Sequence, residues 1–240
     1  MCWLPIVACV RATDRDPLRR RTGRWFRRLG VALARLHGSS VRVRTDAAPL
    51  ATGPYVVVSN HQSLADIPVL CHLPWEMKWL AKRELFRVPV VGWMMRMAQD
   101  IPVDRRHGTR AAALRKAQRT LERGCSVMVF PEGTRSRDGS VGAFSDGAFH
   151  LAIRAGVPVL PVAVVGVRDC LPRASWRMGR PRAIEVRVFP PIATEGLDGA
   201  AVPALRDRAR GLIAQEMAAS SIRAPDIPAR GWTTPPFPAR

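Results

Sequence analysis

Hydrophobic and polar positions along this chain follow two different periods. Short apolar runs of strand length alternate with longer stretches in which apolar residues recur at helical spacing. The predicted strands cover residues 41–43, 55–59, 101–103, 126–130, 157–165 and 184–189, and the predicted helices cover residues 17–37, 110–123 and 203–219. Alternating strands and helices predict an α/β fold, a layered sheet flanked by helices in a single domain.

The first predicted helix, residues 17–37, is basic and amphipathic. Trp25, Phe26 and several leucines recur near helical spacing, and Gly38 ends the pattern. Seven arginines fill much of the remainder: Arg19, Arg20, Arg21, Arg24, Arg27, Arg28 and Arg35. Such a helix fits the headgroup layer of an anionic membrane. The pattern is equally compatible with a helix that packs its leucine face on the domain.

The charge of the chain narrows the choice of partners. Its 38 basic and 19 acidic residues give a formal charge of +19, which attracts nucleic acid, acidic lipid or phosphorylated substrates. The sequence has one tyrosine and no zinc-finger or RNA-recognition signature, so no nucleic-acid partner is expected. Five scattered cysteines without a C-x-x-C pair argue against a disulfide framework or a metal site and fit a reducing cytoplasm.

The apolar run at residues 1–10 is too short to cross a bilayer, which needs roughly 20 residues. It lacks a preceding basic region and a clear cleavage site, so a secretory signal is not expected. We therefore expect peripheral or monotopic association with the cytoplasmic face of a membrane.

The first candidate site follows the strand at residues 55–59. His61 stands just beyond this strand, where sheet enzymes place reactive groups, and Asp66 follows five residues later. On one helix the two would be about 140° apart, so they meet only if His61 lies in the loop and Asp66 in the first helical turn. Pro68 supports a helix that begins near Asp66. A carboxylate on one ring nitrogen leaves the other as a general base; alternatively, Ser63 and Asp66 form a capping box and Asp66 only caps the helix.

The second candidate site follows the strand at residues 126–130. Gly133 allows close approach of the backbone to a ligand, Thr134 offers a hydroxyl, and Arg135 offers a bidentate fork for phosphate. Glu132 is placed to orient that fork. The alternative is a tight surface turn with a solvated arginine.

Together, these segments resemble the glycerolipid acyltransferase family, whose best-known members are the 1-acylglycerol-3-phosphate (lysophosphatidic acid) acyltransferases. The resemblance is carried by four blocks in the family's order and spacing: residues 60–66, 82–105, 130–136 and 157–162. It implies a glycerolipid acyltransferase-type domain, which we place at residues 38–222. The basic amphipathic pattern predicts a membrane-contacting segment at residues 1–37, and the proline content of the end predicts a Pro-rich tail at residues 223–240.

The resemblance also implies a reaction. A fatty acyl group passes from acyl-CoA or acyl carrier protein to the free hydroxyl of a lysophospholipid, with His61 as general base and Asp66 supporting its imidazolium. The implied substrate-binding residues are Glu132, Gly133, Thr134, Arg135 and Arg105. Because a thioester is already activated, no covalent nucleophile is required, and no G-x-S-x-G motif is present. No cofactor or metal is expected beyond the acyl donor.

Two departures leave the acceptor open. The segment Phe144-Ser145-Asp146-Gly147 lacks a lysine that the family commonly has, and Gln99-Asp100 stands where a glycine is common. The acceptor expected first is 1-acylglycerol-3-phosphate, which gives phosphatidic acid. Another lyso-lipid such as a lyso-ornithine lipid, or a noncatalytic lipid- or nucleic-acid-binding role, is the alternative.

Overall fold

A computed structural model describes residues 3–46, 53–104, 110–171 and 179–223, with residues 221–223 described in their backbone only. One sheet contains the strands β1 (Ser40–Thr45), β2 (Val56–Ser59), β3 (Met77–Lys82), β4 (Ile101–Val103), β5 (Ser126–Val129), β6 (Val159–Val165) and β7 (Ala183–Val188). Their spatial order is β1-β7-β6-β2-β5-β3-β4. Neighbouring strands are parallel except for the antiparallel pair β6 and β7. The predicted α/β sheet is confirmed.

Helices cover both faces of this sheet. They are α1 (Trp3–Thr13), α2 (Arg20–Leu36), α3 (Asp66–Leu70), α4 (Val91–Met97), α5 (Arg110–Glu122), α6 (Gly147–Ala155) and α7 (Val202–Arg223), with 3₁₀ turns at Arg83–Arg87 and Gly199–Ala201. Among the described residues, no helix is both long and apolar enough to cross a membrane. The predicted tail lies outside the described residues apart from Arg223.

Two apolar cores result from the alternation of side chains along the strands. Val56 and Val58 point into the core that α5, α6 and α7 cover, whereas Val57 points into the core that α2 and α3 cover. All three valines are fully buried, and burying one such side chain stabilises the fold by about 1.5–3 kcal/mol. Parallel strands covered on both faces read as continuous apolar runs, which explains why β2 was predictable.

The structure attaches α2 firmly to the rest of the domain. This helix packs against α1, α3 and α4, and the buried guanidinium of Arg27 pairs with the carboxylate of Asp100. Its start is fixed by Asp16, whose carboxylate accepts the backbone N–H groups of Leu18 and Arg20 at 3.0 Å each. Of the seven arginines in this segment, Arg27 is held inside the protein by its ion pair and does not belong to a membrane-facing surface.

Candidate active site

The loop between β2 and α3 holds His61 against Asp66. The ring nitrogen Nδ1 of His61 lies 2.7 Å from Oδ2 of Asp66, whose side chain is fully buried. The same oxygen accepts the backbone N–H groups of Gln62 at 2.8 Å and Ser63 at 2.9 Å. The predicted placement, with the histidine in the loop and the aspartate in the first helical turn, is confirmed.

One of the two bonds of the capping box suggested by the sequence is present; the N–H of Asp66 donates to the carbonyl of Ser63 at 3.3 Å instead of to its hydroxyl. Asp66 accepts the N–H of Ser63, while the hydroxyl of Ser63 accepts the N–H of Ala65 at 3.2 Å. These bonds satisfy backbone donors of the turn that leads into α3. Capping and contact with the histidine are therefore two roles of one carboxylate, and the loop geometry that caps the helix also fixes the position at which His61 meets it.

The imidazole ring of His61 is contacted on one face as well as at its Nδ1 atom. The ring of Phe130 stacks on it, with centroids 4.2 Å apart and an angle of 18° between the planes. Only 16% of the histidine side chain is exposed. With Nδ1 directed at the carboxylate, Nε2 is the nitrogen that remains for a substrate proton. Phe130 was not among the predicted site residues, because its contact with His61 joins two distant segments.

Glu132 anchors the histidine loop through the backbone. Its Oε1 accepts the N–H of His61 at 2.8 Å, and its Oε2 accepts the N–H of Gly142 at 3.0 Å. Burial raises the pKa of the Glu132 carboxyl, and the two N–H donors act in the opposite direction. Both oxygens of Glu132 thus accept main-chain N–H groups. The sequence had suggested instead that Glu132 orients the guanidinium of Arg135.

The loop after β5 brings the remaining candidate residues beside His61. Gly133 has a φ of 72°, a conformation that glycine adopts without steric cost, and its N–H donates to the Phe130 carbonyl at 3.0 Å. The N–H of Ser136 donates to the His61 carbonyl at 2.7 Å, so Arg135 stands one residue from a direct contact with the histidine loop. Thr134 is exposed and Arg135 is half-buried.

Arg105, the remaining predicted phosphate ligand, lies outside the described residues. Within the described parts of the chain, no group of His, Cys, Asp and Glu side chains is arranged to hold a metal ion.

Polar residues around the histidine tie its loop to β6 and to the loop that follows β5. The side-chain amide of Asn60 donates to the Val164 carbonyl and accepts the Val164 N–H, both at 2.9 Å. Gln62 donates through Nε2 to the carbonyl of Gly139 at 2.7 Å. These residues flank His61 in sequence, and the signal for their role was a run of polar residues directly after a buried strand. Their bonds make the loop a rigid platform for the imidazole.

The fold and these motifs agree with known proteins. The family model described as Acyltransferase matches residues 37–165. The 1-acyl-sn-glycerol-3-phosphate acyltransferase alpha of Mus musculus is 40% identical over 178 residues, covering 73% of this chain and 62% of that protein. The 1-acyl-sn-glycerol-3-phosphate acyltransferase of Pseudomonas aeruginosa is 34% identical over 167 residues, covering 69% of this chain and 64% of that protein.

A solved structure is similar over nearly the whole chain. The crystal structure of the 1-acyl-sn-glycerophosphate (LPA) acyltransferase PlsC from Thermotoga maritima has a TM-score of 0.78 and 26% identity, covering 94% of this chain and 92% of that one. The alignments with the two curated relatives span less than two thirds of each relative's own length. With a family match over more than half of its residues, the chain belongs to the acyltransferase family.

Proposed function

We propose that this protein transfers a fatty acyl group from an acyl thioester to the free hydroxyl of 1-acylglycerol-3-phosphate, giving phosphatidic acid. The observation that carries the proposal is the 2.7 Å contact between His61 Nδ1 and the buried carboxylate of Asp66. The names of the similar acyltransferases support the acceptor. The donor is acyl-CoA or acyl carrier protein, and no further cofactor is used.

In the proposed reaction, Nε2 of His61 accepts the proton of the acceptor hydroxyl. The oxygen forms a bond to the thioester carbonyl carbon, the carbon–sulfur bond breaks, and the departing thiolate takes a proton from the imidazolium. Asp66 stabilises the imidazolium and holds the ring in the tautomer with Nδ1–H directed at the carboxylate. The hydrogen bond from the His61 backbone N–H to Glu132 and the stacked ring of Phe130 keep the imidazole in place, which reduces the entropy lost on reaching the transition state.

The acceptor phosphate is assigned to Arg135, with Arg105 as a second ligand and with Glu132, Gly133 and Thr134 shaping the loop that approaches the head group. A guanidinium binds phosphate through two parallel hydrogen bonds, which a point charge cannot reproduce. The position of Arg135, next to the residue that bonds the histidine loop, supports this assignment.

We further propose that the protein works as a peripheral or monotopic enzyme on the cytoplasmic face of an anionic membrane. Four exposed arginines of α2 share one side of the helix, since their spacing of three, four and seven residues keeps them within about 60° of each other. They are Arg21, Arg24, Arg28 and Arg35. Arginines near an anionic surface contribute about 1 kcal/mol each to binding.

One assay tests the acceptor and the donor together. Purified protein is incubated with a panel of lyso-lipids, each paired with acyl-CoA or acyl-loaded carrier protein, and the products are identified by mass spectrometry. The proposal expects phosphatidic acid as the main product. If lyso-ornithine lipid or another lyso-lipid were used in preference, the acceptor assignment would be wrong. If no acceptor were acylated under any condition, the enzymatic role itself would be rejected.

A further inference from the structure

An unusual turn connects the 3₁₀ segment Arg83–Arg87 to α4. Val90 adopts φ 65° and ψ −63°, and the N–H of Val91 donates to the carbonyl of Pro89 at 2.7 Å. This is a γ-turn, which is rare and strained, and it is centred on a β-branched residue that ordinarily avoids positive φ. A strained conformation of this kind points to a function for the surface that it creates.

The turn is firmly built although its side chains face solvent. The N–H of Gly92 donates to the Val88 carbonyl at 2.8 Å, and the N–H of Met94 donates to the Val90 carbonyl at 3.0 Å. A Cβ atom at Gly92 would lie 2.3 Å from the carbonyl oxygen of Phe86, so only glycine lets α4 pack this closely on the preceding segment. The backbone therefore holds its apolar side chains in one fixed arrangement.

Four large apolar side chains are exposed on this turn. Val88 is 41% exposed, Val90 and Val91 are each 42% exposed, and Trp93 is 50% exposed. Half of the eight large hydrophobic side chains that are exposed in the described parts of the chain thus fall within residues 88–93. Contiguous exposed apolar surface on a soluble domain marks an interaction site. We call residues 88–93 the valine turn.

The valine turn is bordered by a basic groove. A cavity of about 450 Å³ beside it is lined by Arg83, Arg87, Arg96 and Lys116, with Asp100 as the acidic residue in its wall. Arg83 also lies 3.8 Å from Asp104. An apolar tip carrying a tryptophan, next to clustered cations, has the chemistry of a surface that enters the boundary between lipid headgroups and acyl chains.

The position of the turn agrees with such a role. The segment that leads to the turn begins at the carboxyl end of β3. Strands β2 and β3 each pair in parallel with β5, so they run in the same direction. His61 follows the carboxyl end of β2. The histidine loop and the segment that leads to the turn therefore begin at the same edge of the sheet. A bilayer contacted by the turn would lie on the side of the domain from which a lipid reaches the histidine.

We propose that the valine turn inserts into the surface of an anionic phospholipid bilayer, with the basic groove holding lipid phosphate groups beside it. The choice of a lipid partner rests on the proposed function, because the proposed acceptor and product are themselves membrane lipids. This contact is separate from the α2 arginines, since it depends on apolar side chains. The insertion of these apolar side chains therefore resists salt, whereas salt screens the charges of α2 and of the basic groove.

The test measures binding of the full chain to vesicles of phosphatidylcholine and phosphatidylglycerol at high salt. The vesicles contain no lyso-lipid and no acyl donor, so the result does not depend on catalysis. The variant Val91→Gln/Trp93→Gln is expected to bind at least about tenfold more weakly than the unchanged protein. The matched control is Leu197→Gln, because Leu197 is 39% exposed and follows β7, whose end lies at the opposite edge of the sheet. Its binding is expected to stay unchanged.

A second measurement does not rely on a polar substitution. With lipids brominated in the acyl chains, Trp93→Phe is expected to keep vesicle binding and to lose a large part of the tryptophan quenching seen with the unchanged protein. Equal binding by the double variant and the control, or equal quenching with and without Trp93, would overturn the proposal. A protein that is dimeric only while the turn is intact, with vesicle binding unaffected, would overturn it in favour of a self-association surface.

Discussion

The substitution Arg27→Met tests how α2 is fixed to the sheet. The side chain of Arg27 is 11% exposed and that of its partner Asp100 is 0% exposed. Burial alone would lower the pKa of Arg27, but the carboxylates of Asp100 and Glu76 raise it above its ordinary value, so the guanidinium stays charged. Methionine fills a similar volume and leaves the buried Asp100 carboxylate without its ion-pair partner. Removing one partner of such a pair costs about 3–5 kcal/mol.

The expected fall in Tm is roughly 6–20 °C, since each kcal/mol corresponds to about 2–4 °C in a chain of this size. Arg28→Met is the matched control: Arg28 is the next residue of α2, is exposed, and should change stability by no more than about 0.5 kcal/mol. Adding Asp100→Asn to Arg27→Met should recover part of the lost stability, because it removes the unpaired charge. The asparagine keeps an acceptor for the backbone N–H of Trp79. Thermal unfolding gives the Tm of all four proteins, and denaturant unfolding gives their free energies of unfolding. Equal stability of Arg27→Met and Arg28→Met would refute the reasoning.

The other predictions concern the site and the membrane. Arg135→Ala should raise the acceptor KM with a smaller effect on kcat, and Arg135→Lys should restore it only in part; an unchanged KM in both would exclude a phosphate contact. Glu132→Gln should lower kcat by up to about 10²-fold because the His61 loop loses an anchor, and wild-type kcat would contradict that role. Arg21→Glu/Arg24→Glu/Arg28→Glu should weaken binding to anionic vesicles at low salt, with part of the binding kept by the valine turn, while sparing transfer to a short-chain, water-soluble acceptor; equal binding by the triple variant would count against α2.

The central strands β2, β5 and β6 could be predicted because burial on both faces gives continuous apolar runs, and β1 and β7 because their apolar and polar residues alternate. β3 was missed because it contains Lys78, a charged residue in an otherwise apolar segment. The structure buries Lys78 completely and pairs its Nζ with the Glu76 carboxylate at 2.9 Å. A sequence pattern cannot distinguish a lysine with a buried partner from a solvated one. Helix α4 was missed for a different reason: it is short, its first residue Val91 is exposed, and it follows a turn at Val90 that local propensity disfavours.

In the candidate site, spacing along the sequence was enough to predict the contact between His61 and Asp66. It was not enough to predict the contacts of His61 with Phe130 and Glu132. His61 and Asp66 are five residues apart, so helix geometry alone restricted how they could meet. The contacts of His61 with Phe130 and Glu132 join segments about seventy residues apart. They exist because β2 and β5 are neighbours in the sheet, which the order of elements along the chain does not specify. The roles of Arg135 and Arg105 depend on a bound acceptor and stay predictions.

The most direct test of the proposed mechanism is the single-turnover rate of acyl transfer by His61→Ala. The account predicts a loss of about 10²-fold or more with an unchanged unfolding midpoint, because the substitution removes the general base. Asp66→Asn should also be severely impaired, since an amide does not stabilise the imidazolium as a carboxylate does. Near-normal acyl transfer by a well-folded His61→Ala protein would contradict the central claim.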